Sequence, residues 1–167
     1  VIASMNPSPN GRFYNPSDPD GPTPADMHRY MSRISGPLLD RIDMHLTIQE
    51  PHTSAFSEGN AESSERIRER VTRAREIQNE RFAGLPGVRI NDQMSPKNLR
   101  DFGHVHHDGL SLLKTASAKL GLSLRGQHRI LKVSRTIADL AQSPKIEDAH
   151  LAEAFQYRTT ELGKWSV

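Results

Sequence analysis

The 167-residue sequence contains no cysteine. Disulfides, thiolate metal ligands and a cysteine nucleophile are therefore excluded, and a reducing, cytoplasmic setting is expected. Aromatic residues are scarce at 5%, beside 35% hydrophobic and 25% charged residues, a balance that suits a water-facing helical module better than a dense sheet protein. No apolar run approaches the roughly 20 residues of a helical membrane span, so no membrane partner is expected. An excess of one charge is also lacking: 22 Lys and Arg stand against 20 Asp and Glu, a net +2, and any anion site must be local. There is no G-x-x-x-x-G-K-[ST] loop and no apolar strand ending in paired acidic residues. By itself the chain is expected neither to hold a nucleoside triphosphate with magnesium in the P-loop manner nor to hydrolyse one. Val1–Met5 lacks the charged lead-in and longer apolar core of a signal peptide. It reads as a buried strand met at full stride, as if the chain were cut from something larger.

What is present divides by composition. Residues 1–24 hold six of the 11 prolines, and Asn15 to Pro22 sustains neither helix nor ladder, so an exposed loop is expected. Thr23 then caps a helix with Pro24 in its first turn and Met27, Tyr30, Met31 and Ile34 on one face, stopped by Gly36-Pro37. Met44–Ile48 alternates and reads as a second strand ending near Pro51. Residues 52–62 read as a hinge. Beyond it the pattern is helical: Ser63 or Ser64 to about Phe82, with Ile67, Val71, Ala74 and Ile77 as a narrow apolar stripe, a short helix from Ser95-Pro96, then Asp108–Leu120, Ser123 or Leu124 to about Gln142, and Ile146–Arg158. A small helical bundle follows.

Four stretches carry candidate chemistry. Asn6 stands just past an apolar strand, where open α/β sheets bind ligands; it could equally start an Asx-turn before Pro7. In "GPLLDRIDMH", Leu38, Leu39, Ile42 and Met44 are candidates for burial, which leaves Arg41 extended. Its planar fork suits a phosphate of a neighbouring molecule, or an ion pair with Asp40 or Asp43. Arg125, Arg129 and Lys132 form a basic stripe at i, i+4 and i+7, opposite Ile130, Val133, Ile137 and Leu140. Arg125 lies in the first turn, where backbone amides also favour an anion, and Gly126 permits close approach; the alternative is a solvated polar face. "HVHHDG" (His104, His106, His107, Asp108) lacks both helical metal-ligand register and a distant fourth ligand, so no metal site is expected. Ser8 and Ser35 lack any triad context.

Six segments in order, "MNPSPNG", "RYMSRISGPLLDRIDMHL", the long charged helix, "MSPKNLRDF", "LGLSLRGQHRILKVSRTIADLA" and "HLAEAFQYR", resemble the C-terminal part of the ComM/YifB family of magnesium-chelatase-like AAA+ ATPases. The resemblance spans nearly the whole chain except the terminal "LGKWSV". It implies a mainly α fold: terminal strands of an α/β AAA+ core over 1–52, then a helical lid domain over 53–167. It implies that Asn6 is the sensor-1 residue orienting the attacking water, that Arg41 is the arginine finger reaching ATP on an adjacent subunit, and that Arg125 is the sensor-2 arginine, acting within or across subunits. ATP and Mg2+ would be cofactors of the full-length protein, a homo-oligomeric ring, expected to be hexameric, its assembly, and DNA its expected substrate. Two rivals are a motor subunit of a magnesium chelatase complex acting on porphyrin, and a free-standing helical binding module. Many relatives carry "MNPCPCG", suggestive of a metal knuckle; Ser8 and Asn10 stand there in this chain.

Overall fold

The structure, a computed structural model, describes residues 1–39, 41–48 and 62–158, the side chains of His107 and Asp108 excepted. The expected hinge, apart from Glu62, and the "LGKWSV" tail lie outside the described residues. Two units separate after Ile42, the second covering Asp43–Arg158.

In the first unit, the proline-rich loop is built from successive side-chain turns. The Asn15 and Asp18 carboxamide and carboxylate oxygens accept from the amides two residues on, at 3.0 and 3.1 Å, which offers the backbone bonds that proline denies to a ladder. Nearer the start, buried Ser8 donates to Asn10 Oδ1 at 2.6 Å, and Gly11 closes the turn at φ +79°, a conformation glycine adopts without steric cost. Helix α1 (Pro24–Met31) starts where expected. Thr23 and Asp26 form a reciprocal capping box, and Met27 and Met31 are buried. Gly36-Pro37 does not stop a helix but opens α2 (Gly36–Leu39), since Pro is accepted in a first turn.

The second unit is a helical bundle: α3 (Ser64–Phe82), a single 3-10 turn (Asn91–Gln93), α4 (Pro96–Phe102), α5 (His107–Lys119), α6 (Leu124–Leu140) and α7 (Asp148–Gln156). Serines cap three of these helices: Ser63, Ser95 and Ser123 each accept from an amide three residues on. Helix α6 is the centre, packing against α3, α4 and α7, while α7 also packs on α5. Leu113, Ile130, Ala138, Ile146, Leu151, Ala154 and Phe155 form the main core, and Phe82, Met94 and Leu99 a second cluster. Phe102 meets Phe82 edge-on with ring centroids 5.8 Å apart. Gly109 is where α5 closes on α7: a Cβ there would stand 2.9 Å from Leu151 Cδ1 and 3.0 Å from Val105 Cγ1.

The mainly α class holds, but the two expected strands do not form. Val1–Met5 and Met44–Ile48 are irregular and largely exposed, and the bridge between Val105 and Ile146 is isolated. Alternation states which face a strand would bury, not that it has a neighbour, and a strand without a ladder partner leaves its amides and carbonyls to water. The apolar stripe of α3 also differs from expectation. Ala74 is buried, but Ile67 and Val71 are exposed, because the helix meets the bundle only from Ala74 onward.

Candidate nucleotide-facing arginines

Arg125 follows directly from the cap that starts α6. Ser123 Oγ accepts from the Gly126 amide at 3.2 Å, fixing the first turn, and Leu124 and Arg125 both project into solvent. Among the described residues the Arg125 guanidinium makes no hydrogen bond or ion pair. Gly126 is not required by its surroundings, since an added Cβ would meet nothing nearer than Leu122 Cβ at 3.5 Å.

The basic stripe is not a uniform face. Arg129 Nη1 bonds Asp43 Oδ1 at 2.5 Å and is mostly buried. Lys132 donates to the Asp92 backbone carbonyl, clamping the 3-10 turn against α6. Arg125 thus differs from the other two members in reaching only solvent.

Arg41 lies in the turn after α2 and is exposed; its Nη1 donates to the Pro37 carbonyl at 3.0 Å. Of the two acidic partners considered for it, Asp43 is held by Arg129, and Asp40 is outside the described residues. Asn6 is exposed, and its backbone carbonyl accepts from the Tyr30 hydroxyl at 3.1 Å. Nearby, Asn10 makes an Asx-turn by accepting the Arg12 amide at 3.2 Å.

The "HVHHDG" stretch connects α4 to α5. His104 adopts φ 45°, and its carbonyl and the His106 amide bond the backbone of Ile146. Among the described residues no three His, Asp or Glu side chains converge on a metal position.

Sequence reasoning missed a buried ionic network on the inner side of α6. Asp139 and Arg135 are both fully buried. Asp139 accepts from both Arg81 guanidinium nitrogens, from Asn91 Nδ2 at 2.8 Å and from Arg135 Nε at 3.1 Å. Arg135 also donates to the Ser143 and Pro144 carbonyls, and Asn91 to Thr136 Oγ1. Burial pushes the Asp139 carboxyl up, but hydrogen bonds from Arg81 and Asn91 and the charges of Arg135 and Arg81 outweigh it and hold it below its ordinary value. Burial lowers the Arg135 pKa, only partly offset by Asp139. The available signal was Arg135 and Asp139 at i, i+4, an oppositely charged pair on the expected helix.

Fold and site together define a helical lid-like module that presents an arginine from the capped first turn of its central helix, preceded by a short loop-rich unit. Residues 61–158 match the family described as "Magnesium chelatase, subunit ChlI C-terminal", and residues 1–56 that described as "Magnesium chelatase, subunit ChlI". The chain belongs to this magnesium chelatase ChlI family. It is 41% identical over 160 residues to the competence protein ComM of Haemophilus influenzae, covering 95% of this chain and 30% of that protein. It is 36% and 37% identical to the uncharacterized YifB proteins of Salmonella typhimurium and Escherichia coli, each over 163 residues, 96% of this chain and 31% of theirs. The chain thus spans about a third of the length of the curated relatives it matches. No described helix is long and apolar enough to cross a membrane.

Proposed function

We propose that this chain supplies the sensor and arginine-finger residues of a ComM/YifB-type AAA+ ATPase. It acts in a homo-oligomeric ring, hexameric by the family resemblance, that uses ATP and Mg2+ to remodel DNA. Arg125 carries the proposal: it is the exposed member of its stripe, unpaired among the described residues, beside the N-terminal amides of α6. A permanent cation there suits phosphate oxygens. Arg41 would reach the phosphates bound by an adjacent subunit, and Asn6 would orient the attacking water. Arg125 and Arg41 fit a polyphosphate as donors; the phosphate loop and magnesium ligands must come from elsewhere, because this sequence has no P-loop motif. The choice of DNA rests on the ComM resemblance alone.

The test uses a polypeptide joining a ComM-type P-loop half to this sequence. Loss of turnover in both Arg41→Ala and Arg125→Ala is expected, and wild-type turnover in both would end the proposal. The family description favours a second reading, a magnesium chelatase motor subunit. Stimulation of turnover by a porphyrin-binding partner and not by DNA would select it.

A further inference from the structure

Within the first unit, Asn6 begins a short run that proline stiffens. Pro7 and Pro9 each fix their own φ and bias the residue before them to extended backbone, so the arm Asn6-Pro7-Ser8-Pro9 has few internal freedoms. Its far end is anchored. Ser8 is fully buried and donates to Asn10 Oδ1 at 2.6 Å, and the Gly11 amide closes the turn on the Ser8 carbonyl at 3.1 Å. On the near side Val1, Ile2 and Met5 are exposed and form no ladder. The contact made at the near end is the Tyr30 hydroxyl, which donates to the Asn6 backbone carbonyl at 3.1 Å across 24 positions of sequence.

Tyr30 is placed to act as a fixed point for that carbonyl. It is half-buried on α1, a helix seated by the buried side chains of Met27 and Met31 and started by the Thr23–Asp26 capping box. A tyrosine ring has only two side-chain torsions between the helix and its hydroxyl, so the position of the donor follows that of the helix. The Asn6 carbonyl carbon and the Asn6 side chain are both bonded to the same Cα. With the carbonyl held, the carboxamide keeps only its own two torsions. Asn6, the turn and α1 all lie in the unit Val1–Ile42.

We propose that Tyr30 is a positioning residue whose hydroxyl, carried by α1, fixes the main chain of Asn6 so that its carboxamide is presented in one direction. This rests on the reading of Asn6 as the residue that orients the attacking water. Tyr30 touches neither the nucleotide nor the water; it acts through Asn6, so losing its hydroxyl lowers kcat and leaves KM in place. A single exposed, neutral hydrogen bond contributes modestly, so a several-fold effect is expected rather than orders of magnitude.

The test has two arms, both using Tyr30→Phe, which keeps the ring and removes only the donor. In the 167-residue chain, the NMR resonance of the Asn6 carbonyl carbon should move upfield, because an accepted hydrogen bond deshields that carbon, while the capped amides of Asp26 and Met27 stay in place. An unmoved carbonyl resonance overturns the contact. Displaced cap amides show that Tyr30 holds α1 rather than Asn6, and overturn the positioning role. In the polypeptide carrying a P-loop half, Tyr30→Phe should lower kcat several-fold with KM held, and should have no further effect on the residual turnover of Asn6→Ala. An equal loss in both backgrounds, or unaltered kcat where Asn6→Ala is impaired, overturns the positioning role. Wild-type turnover in Asn6→Ala overturns the water-orienting assignment and this role with it, while the carbonyl resonance still reports whether the contact exists.

Discussion

Arg41 and Arg125 are exposed side chains, so their loss should be read in chemistry rather than in folding. In the ATPase polypeptide, Arg41→Ala should reduce turnover about 10³-fold or more with ATP affinity nearly unchanged, because an arginine finger acts mainly on charge developing in the transition state. Steady-state kinetics beside nucleotide titration checks this, and an equal loss in affinity would contradict it. Asp139 is the opposite case. Removing its carboxylate leaves Arg135 charged, buried and uncompensated, so Asp139→Ala should cost about 3–5 kcal/mol in a denaturant titration. Since the folded-state pKa of Asp139 is depressed, its contribution is present above the unfolded carboxylate value and lost as pH falls through the folded one. Melting temperature should therefore drop with acidification below about pH 4. The place of Arg125 in the capped first turn of α6 was legible because a cap is a local property, whereas Asn6 and Arg41 were singled out with the help of the family resemblance. The Arg81–Asn91–Asp139 contacts were not legible, because they join positions 48 and 58 residues apart that only packing brings together.

Among the elements, α3 separates what periodicity states from what packing decides. Its start, end and serine cap agree with the pattern of the sequence, since these depend on neighbours along the chain. Its apolar stripe runs its full length, but only the part from Ala74 meets α6. Ile67→Ala should accordingly change bundle stability by no more than about 0.5 kcal/mol, whereas Leu151→Ala in the core of α7 should cost about 2–5 kcal/mol. Comparable losses in the two thermal melts would show that the N-terminal turns of α3 are packed. Val1–Met5 reads as an apolar strand and Met44–Ile48 as an alternating one, but neither forms a strand, for a ladder is a property of two segments. At the start of α6, Gly126→Ala meets only ordinary contacts and should raise stability by up to about 1 kcal/mol. A stability loss there would mean that the first turn needs glycine.

For the whole molecule, the helical unit encloses its own core of α5, α6 and α7, joined by the Phe82, Met94 and Leu99 cluster, so a chain of residues 62–158 should fold cooperatively with strong helical circular dichroism. The central claim concerns more than one copy: Arg41 completes a nucleotide site on a neighbouring subunit. Its most direct measurement mixes two inactive forms of the ATPase polypeptide, one with the P-loop lysine replaced and one carrying Arg41→Ala. In mixed rings some sites pair an intact P-loop with an intact Arg41 from the adjacent subunit, and part of the lost turnover should return. If mixed rings assemble and remain as inactive as either parent, Arg41 does not act across the subunit boundary and the account is wrong.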